Sequence, residues 1–122
     1  MIRLSKADLK RLGVTDVPGE SKYHNEPYEV GGIVFQSKKE GRRYEELLLW
    51  EKAGGICDIE RQVRYRLNVG GVHVADYYAD FVYTEVATGK RVVEDTKGYR
   101  TEVYKIKRAL VKACYGITIL ET

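Results

Sequence analysis

Tyr78-Ala79-Asp80-Phe81-Val82-Tyr83-Thr84-Glu85-Val86-Ala87-Thr88-Gly89-Lys90-Arg91-Val92-Val93-Glu94-Asp95-Thr96-Lys97-Gly98 reads as a β-hairpin. Two runs rich in Val, Tyr and Phe flank Val86-Ala87-Thr88-Gly89, and Gly89 can take the positive φ that such a turn needs. If Glu85 pairs with Lys90 across this loop, Asp80 lies opposite Asp95, and Lys97 follows two residues later on the same face. Carboxylates facing each other across strands repel, and a bound cation removes that repulsion. The pattern therefore points to a metal site with a lysine beside it. A slip of one residue would bring Glu94 onto the face of Asp80 instead, and alternating acids and lysines are also common on solvent-facing strands.

The segments around the hairpin supply its context. On the N-terminal side, Gln62–Val69 alternates strictly, with Val63, Tyr65, Leu67 and Val69 on one face and Arg64, Arg66 and Asn68 on the other. Gly70-Gly71 is a tight turn, so Ile56–Val69, Val72–Glu85 and Lys90–Lys97 form a three-stranded meander. Before it, a helix is expected from Ser37 to about Ala53, stopped by Gly54-Gly55 and carrying Tyr44, Leu47 and Leu48 as its apolar stripe. Ser37-Lys38-Lys39-Glu40 fits a capping box, which gives Glu40 a structural task independent of any chemistry. Glu29–Phe35, with Gly31-Gly32 at its centre, is a small strand or hairpin.

After Gly98 the period becomes helical, with Val103, Ile106, Leu110, Ala113 and Cys114 as the apolar stripe, Thr101 as cap and Gly116 as a left-handed stop. The other side of that helix carries Arg100, Lys105, Lys107, Arg108 and Lys112 against Glu102 alone. Ile117–Leu120 closes the chain as a short apolar strand. Residues 1–28 form a basic N-terminal arm, with a short helix beginning at Ser5 that includes Lys6, Lys10 and Arg11. Residues 29–122 form the domain proper.

The chain has 122 residues, 43% of them apolar and 32% charged, which is enough for one core and argues against disorder. A net charge of +3 is too small to identify a nucleic-acid partner by itself. Cys57 and Cys114 stand far apart with no neighbour at zinc-ligand spacing, so both are expected as reduced core thiols. No apolar stretch is long enough to span a membrane and the first residues hold no signal core, so a cytoplasmic protein is expected.

The order helix, three-strand meander, helix, strand, with an acid late in the second strand and Asp-x-Lys at the end of the third, resembles the PD-(D/E)xK nuclease superfamily over residues 33 to 121. Phe35-Gln36-Ser37-Lys38-Lys39-Glu40, Tyr78-Ala79-Asp80-Phe81-Val82-Tyr83 and Val93-Glu94-Asp95-Thr96-Lys97-Gly98 look most like a small phage and prophage endonuclease-like family of mostly unassigned function. Similar Ser-Lys-x-Glu helices occur in Holliday-junction resolvases and transposon endonuclease subunits. The resemblance implies an α/β (α+β) restriction-endonuclease-like core of order αβββαβ, with a mixed central sheet flanked by helices. It implies Asp80 and Asp95 as metal acids, Lys97 as the motif lysine, and Glu40 as the helix glutamate that completes the site. Ala79 stands where the motif has proline, and Glu94 remains a spare acid beside Asp95.

The implied reaction is Mg²⁺-dependent hydrolysis of DNA phosphodiesters, with Mn²⁺ as a substitute, since hard carboxylate oxygens suit such ions. Lys38, Lys39, Arg42, Arg100, Lys105 and Arg108 are the expected phosphate contacts. Tyr77, Tyr78, Tyr99 and Tyr104 are candidates for stacking on exposed bases, and Gln62 reads as a surface residue near the site. The leading expectation is a homodimeric phage or prophage enzyme, working in the host cytoplasm on branched or nicked DNA, such as a junction resolvase. The alternatives are a nicking or end-processing subunit of a recombination, packaging or transposition complex, and a non-catalytic DNA-binding relic of the fold.

Overall fold

The computed structural model describes residues 27–97 and 100–122. The expected helix near Ser5, with Lys6, Lys10 and Arg11, and also Tyr99 lie outside the described residues. The chain divides into two compact units, Met1–Leu48 and Leu49–Thr122, whereas the sequence places a boundary at 28/29.

In the first unit, strands β1 (Tyr28–Val30) and β2 (Ile33–Phe35) pair antiparallel through Val30↔Ile33. The two residues between them, Gly31 and Gly32, have φ of 56° and 84°, the double positive φ of a tight hairpin that only glycine adopts freely. Helix α1 (Lys38–Lys52) begins as expected, with the Glu40 N–H donating to Ser37 Oγ at 3.2 Å. The hairpin and the helix are joined by Phe35 against Tyr44, at 5.2 Å between rings, and by the Tyr28 hydroxyl, which donates to Glu45. Tyr28 also lies where a side chain on Gly41 would stand, since a Cβ there would meet its ring at 2.2 Å.

The second unit is a mixed four-stranded sheet in the order β3-β4-β5-β6, with one helix packed on it. Strands β3 (Ile56–Val69) and β4 (Val72–Glu85) are long antiparallel partners. Strand β5 (Arg91–Asp95) pairs antiparallel with β4, and after helix α2 (Glu102–Tyr115) strand β6 (Leu120–Glu121) returns parallel to β5. The elements thus follow one another as αβββαβ from α1 onward, in an α+β arrangement. Leu67, Tyr77, Ala79, Val82 and Val93 form the core with Tyr104 and Val111 of α2 and with Ile119. Emptying one of the central positions, as in Leu67→Ala, costs about 2–5 kcal/mol on general grounds.

Helix α2 has the predicted cap, with Thr101 Oγ1 accepting from the Tyr104 N–H at 3.0 Å, and the predicted stop, with Gly116 at φ 70°. Its inward face differs from the expected one. Tyr104 and Val111 are buried, whereas Val103 and Ile106 are 62% and 60% exposed and Cys114 is exposed. The aromatic face prevails because Tyr104 buries a large ring while its hydroxyl reaches Glu121 at 2.7 Å, and because Tyr115 OH donates to Arg66 O at 2.7 Å. The expectation of two core thiols is corrected with it: Cys114 is exposed, and Cys57 is only partly covered.

Candidate active site

The β4–β5 register decides which acids meet. Phe81↔Glu94, Val82↔Val93, Tyr83↔Val92 and Thr84↔Arg91 are partners, and the Glu85 N–H donates to Lys90 O at 2.8 Å. Continued by one residue past Phe81↔Glu94, this register sets Asp80 against Asp95. Glu94 faces the other way: its Oε1 accepts from Tyr83 OH at 2.7 Å and its Oε2 from Thr122 Oγ1 at 3.1 Å.

Asp95 is 1% exposed, at the end of a strand whose last three residues are buried. Tyr77 OH donates to its Oδ2 at 2.5 Å. Lys97 Nζ stands 3.2 Å from Oδ1, close enough for an ion pair but out of line for a hydrogen bond. Among the described residues, Oδ1 is therefore buried with no hydrogen-bond donor aimed at it. Burial first, and then the neighbouring Asp80 carboxylate, push the Asp95 pKa up to about 6, while Tyr77 and Lys97 pull it down. The Tyr77 hydroxyl is in turn held well above its ordinary range by burial and by Asp95.

Asp80 is held from two sides. Gln62 Nε2 donates to its Oδ1 at 3.1 Å, and the Thr96 N–H donates to its Oδ2 at 3.0 Å. Both of these donors are neutral, so they orient its charge without cancelling it. Two carboxylates facing each other in this way favour a shared proton or a cation between them. The donor set consists of carboxylate oxygens and includes a buried one without a directed donor, which fits a hard divalent cation. Among the described residues no group of three or more His, Cys, Asp or Glu side chains is gathered to hold a metal, so the set here is the pair.

A cationic cluster adjoins the pair. Lys97 Nζ lies 4.5 Å from the centre of the Tyr104 ring, and Arg108 flanks the same ring at 5.8 Å. Arg100 Nε and Arg108 Nη1 reach the two oxygens of Glu121 at 2.8 and 3.0 Å. With Tyr104 OH, these bonds hold the Glu121 carboxyl down at about 2, whereas Tyr104 is pushed above its ordinary range by burial and Glu121. The expectation that Glu102 alone opposes the basic helix face is thereby corrected: Glu102 pairs with Lys105 at 3.1 Å, and Glu121 pairs with both arginines.

The structure brings Asp80, Asp95 and Lys97 together at the C-terminal end of β5, one of the two central strands of the sheet, with Arg100 and Arg108 joined through Glu121 beside Tyr104. Lys38, Lys39, Glu40 and Arg42 stand on the first turns of α1, in the other unit. Of the stacking candidates, Tyr77 and Tyr104 are buried with bonded hydroxyls, while Tyr78 is exposed. Sequence reasoning missed two participants, Tyr77 as the donor to Asp95 and Glu121 as the arginine partner. It read Gln62 as a surface residue; the side chain is exposed but bonded to Asp80. Counting outward from Gly70-Gly71 places Gln62 opposite Ala79; the register shift between Leu67 and Asn68 moves the pairing by one and brings Asp80 there, so this contact, like that of Glu121, which needed the parallel placement of β6, depends on structure beyond the turn.

No curated protein and no solved structure matches the chain. A family model described as a protein of unknown function, DUF1064, matches residues 20–119, and the chain belongs to that family.

Proposed function

We propose that this protein is a Mg²⁺-dependent endonuclease of the PD-(D/E)xK kind that hydrolyses DNA phosphodiester bonds. The observation that carries this reading is the Asp80–Asp95 pair, with a buried Asp95 oxygen that lacks a directed donor and a lysine 3.2 Å from it. A chain gains nothing in stability from holding two carboxylates together, so the arrangement is best explained by a ligand that takes the place of the shared proton. Asp80 and Asp95 hold the ion, which when bound supplies Lewis-acid stabilisation of the charge that builds on the phosphoryl oxygens. Lys97 orients the attacking water and adds its own positive charge at the phosphate. Arg100 and Arg108 address the neighbouring backbone phosphate.

The element order, with β6 parallel to β5, supports a restriction-endonuclease-like core as the finer description of the fold. Glu40 is proposed as a third acid. Glu40→Gln keeps most of the helix cap, so a catalytic role predicts lost cleavage at nearly unchanged Tm, and an active, equally stable variant removes Glu40 from the site. The proposed enzyme is a homodimer acting on branched or nicked DNA. The test is a panel of labelled four-way junction, flap, nicked, linear and single-stranded DNA with Mg²⁺, Mn²⁺ or EDTA. Metal-dependent cleavage supports the proposal and ranks the substrates. Binding without cleavage under every condition favours a non-catalytic DNA-binding protein instead.

A further inference from the structure

Among the described residues, two other than glycine have positive φ, Asp58 at 54° and Gln62 at 51°, both on β3. For Asp58 the cause is local: the β3–β4 register shifts between Cys57 and Glu60, so a bulge occupies that place, and aspartate tolerates the left-handed region better than most residues. Gln62 has neither explanation. Its neighbours keep one register, Arg61↔Phe81 on one side and Val63↔Ala79 on the other, so no extra residue is accommodated. Glutamine, moreover, is not among the residues enriched at positive φ. An uncommon backbone conformation in the middle of a long strand is therefore held in place without serving the strand.

What the conformation accompanies is a contact. Gln62 Nε2 donates to Asp80 Oδ1 at 3.1 Å, while the Thr96 N–H donates to Oδ2 at 3.0 Å. These two bonds fix the plane of the Asp80 carboxylate as it faces Asp95. An ionised carboxylate only accepts hydrogen bonds, so the amide must present its N–H₂ side to it. A lysine or arginine in the same place would cancel the charge that attracts a cation; an amide orients the oxygen and leaves that charge intact. Backbone strain of this sort collects at functional sites, where the surrounding structure enforces it.

We infer that Gln62 is a positioning residue for the metal-binding pair, its strained backbone aiming the amide that orients Asp80 toward a divalent cation shared with Asp95. The inference rests on the proposed metal site and deepens it. The test is Mn²⁺ binding by isothermal titration to the full chain, with Tm measured in EDTA, for wild type, Gln62→Met and Gln62→Gly. Methionine keeps the size of the side chain and the strain but has no donor; glycine removes both donor and strain. Both variants should bind Mn²⁺ about tenfold or more weakly, the usual effect of losing a bond that orients a ligand. Their Tm should separate, Gln62→Gly melting at or above wild type and Gln62→Met no higher than wild type. Affinity that survives in Gln62→Met overturns the inference while leaving the metal site standing. Affinity that falls only in variants whose Tm also falls makes Gln62 a purely structural residue and overturns it as well. A wild-type protein that binds no Mn²⁺ removes the metal site, and the inference with it.

Discussion

Glu94 and Asp95 are adjacent in sequence and both are buried, yet the two sides of β5 treat their carboxylates in opposite ways. On one side Glu94, 0% exposed, has a hydroxyl on each oxygen, from Tyr83 and Thr122. On the other side Asp95 has one hydroxyl, an ammonium out of line and a second carboxylate. The first is a satisfied polar group and a structural one; burial costs it little because its bonds to water are replaced. The second is frustrated, and its raised pKa is the measure of that frustration. The difference teaches that burial alone does not separate structural acids from chemical ones. Satisfaction does.

The largest expected effect comes from removing charge on the frustrated side. Asp80→Asn and Asp95→Asn should each lower metal-dependent cleavage by about 10³-fold or more, the order of effect seen when a central electrostatic group is lost, with DNA binding kept or tightened. A kinetic assay on the best substrate of the panel checks this. Full activity in either variant breaks the comparison. Stability should move the other way. A carboxyl whose folded pKa lies above its unfolded value favours the fold at low pH, and that contribution is lost as pH rises through about 6. Asp95→Asn should therefore be more stable than wild type at pH 8 by up to about 3 kcal/mol, the equivalent of roughly two pKa units, and should lose that advantage by about pH 4. Denaturant titrations in EDTA at the two pH values measure it.

On the satisfied side the signs reverse. Glu94→Ala should cost about 2–4 kcal/mol, because it opens a cavity and strands the Tyr83 and Thr122 hydroxyls. Glu94→Gln keeps an acceptor for Tyr83, and the Thr122 hydroxyl can rotate to accept from the amide. It should cost under about 1.5 kcal/mol and leave cleavage within a few-fold of wild type. A dead Glu94→Gln beside an active Asp95→Asn would exchange the roles of the two acids.

Much of this contrast could be read in the sequence, and the reason is local. The Asp80–Asp95 register depends on one turn, and Gly89, at φ 71° with its N–H donating to Glu85 O at 2.8 Å, fixes that turn within the segment itself. The β3–β4 turn is equally local, with Gly70 and Gly71 both at positive φ. Helix α2 could not be oriented in the same way, because Val103-Ile106-Leu110 and Tyr104-Val111 are both spaced for burial, and only packing against the sheet chooses between them. Glu121 was hidden for a similar reason. It lies in a two-residue strand whose neighbours are set by a parallel crossover, so its bonds to Arg100 and Arg108 are long-range consequences of the fold.

A smaller effect sharpens the contrast from within the site. Tyr77 supplies the only hydroxyl bonded to Asp95 among the described residues, and that bond lowers the Asp95 pKa. Tyr77→Phe keeps the ring in the core and removes the donor, so it should destabilise the fold at pH 8 by about 1–3 kcal/mol, as expected for a hydrogen bond to a charged group. It should also move the acid limb of the cleavage profile to higher pH, since the pair then holds its proton more tightly. An unmoved limb would show that Asp95 does not control the acid side of the reaction.

The smallest effect concerns the second group of charges. Glu121 is also a bonded acid, and the low pKa set by Tyr104, Arg100 and Arg108 means that it stays ionised throughout the range in which the enzyme is assayed. Its negative charge therefore stands beside the two arginines proposed to meet the DNA backbone. Glu121→Gln keeps the size and an acceptor oxygen while removing that charge, which leaves Arg100 and Arg108 with a larger net field. Binding to all DNA forms should tighten by a few-fold at low salt, and the slope of log affinity against log salt should steepen by up to about 0.9 for each additional phosphate that the arginines neutralise. If affinity instead falls, Glu121 is needed to hold the arginines in place more than it opposes them, and Lys105, paired at 3.1 Å with the exposed Glu102, becomes the cation to remove next. In either case cleavage at saturating enzyme should persist, because these bonds position the backbone and leave Asp80 and Asp95 untouched.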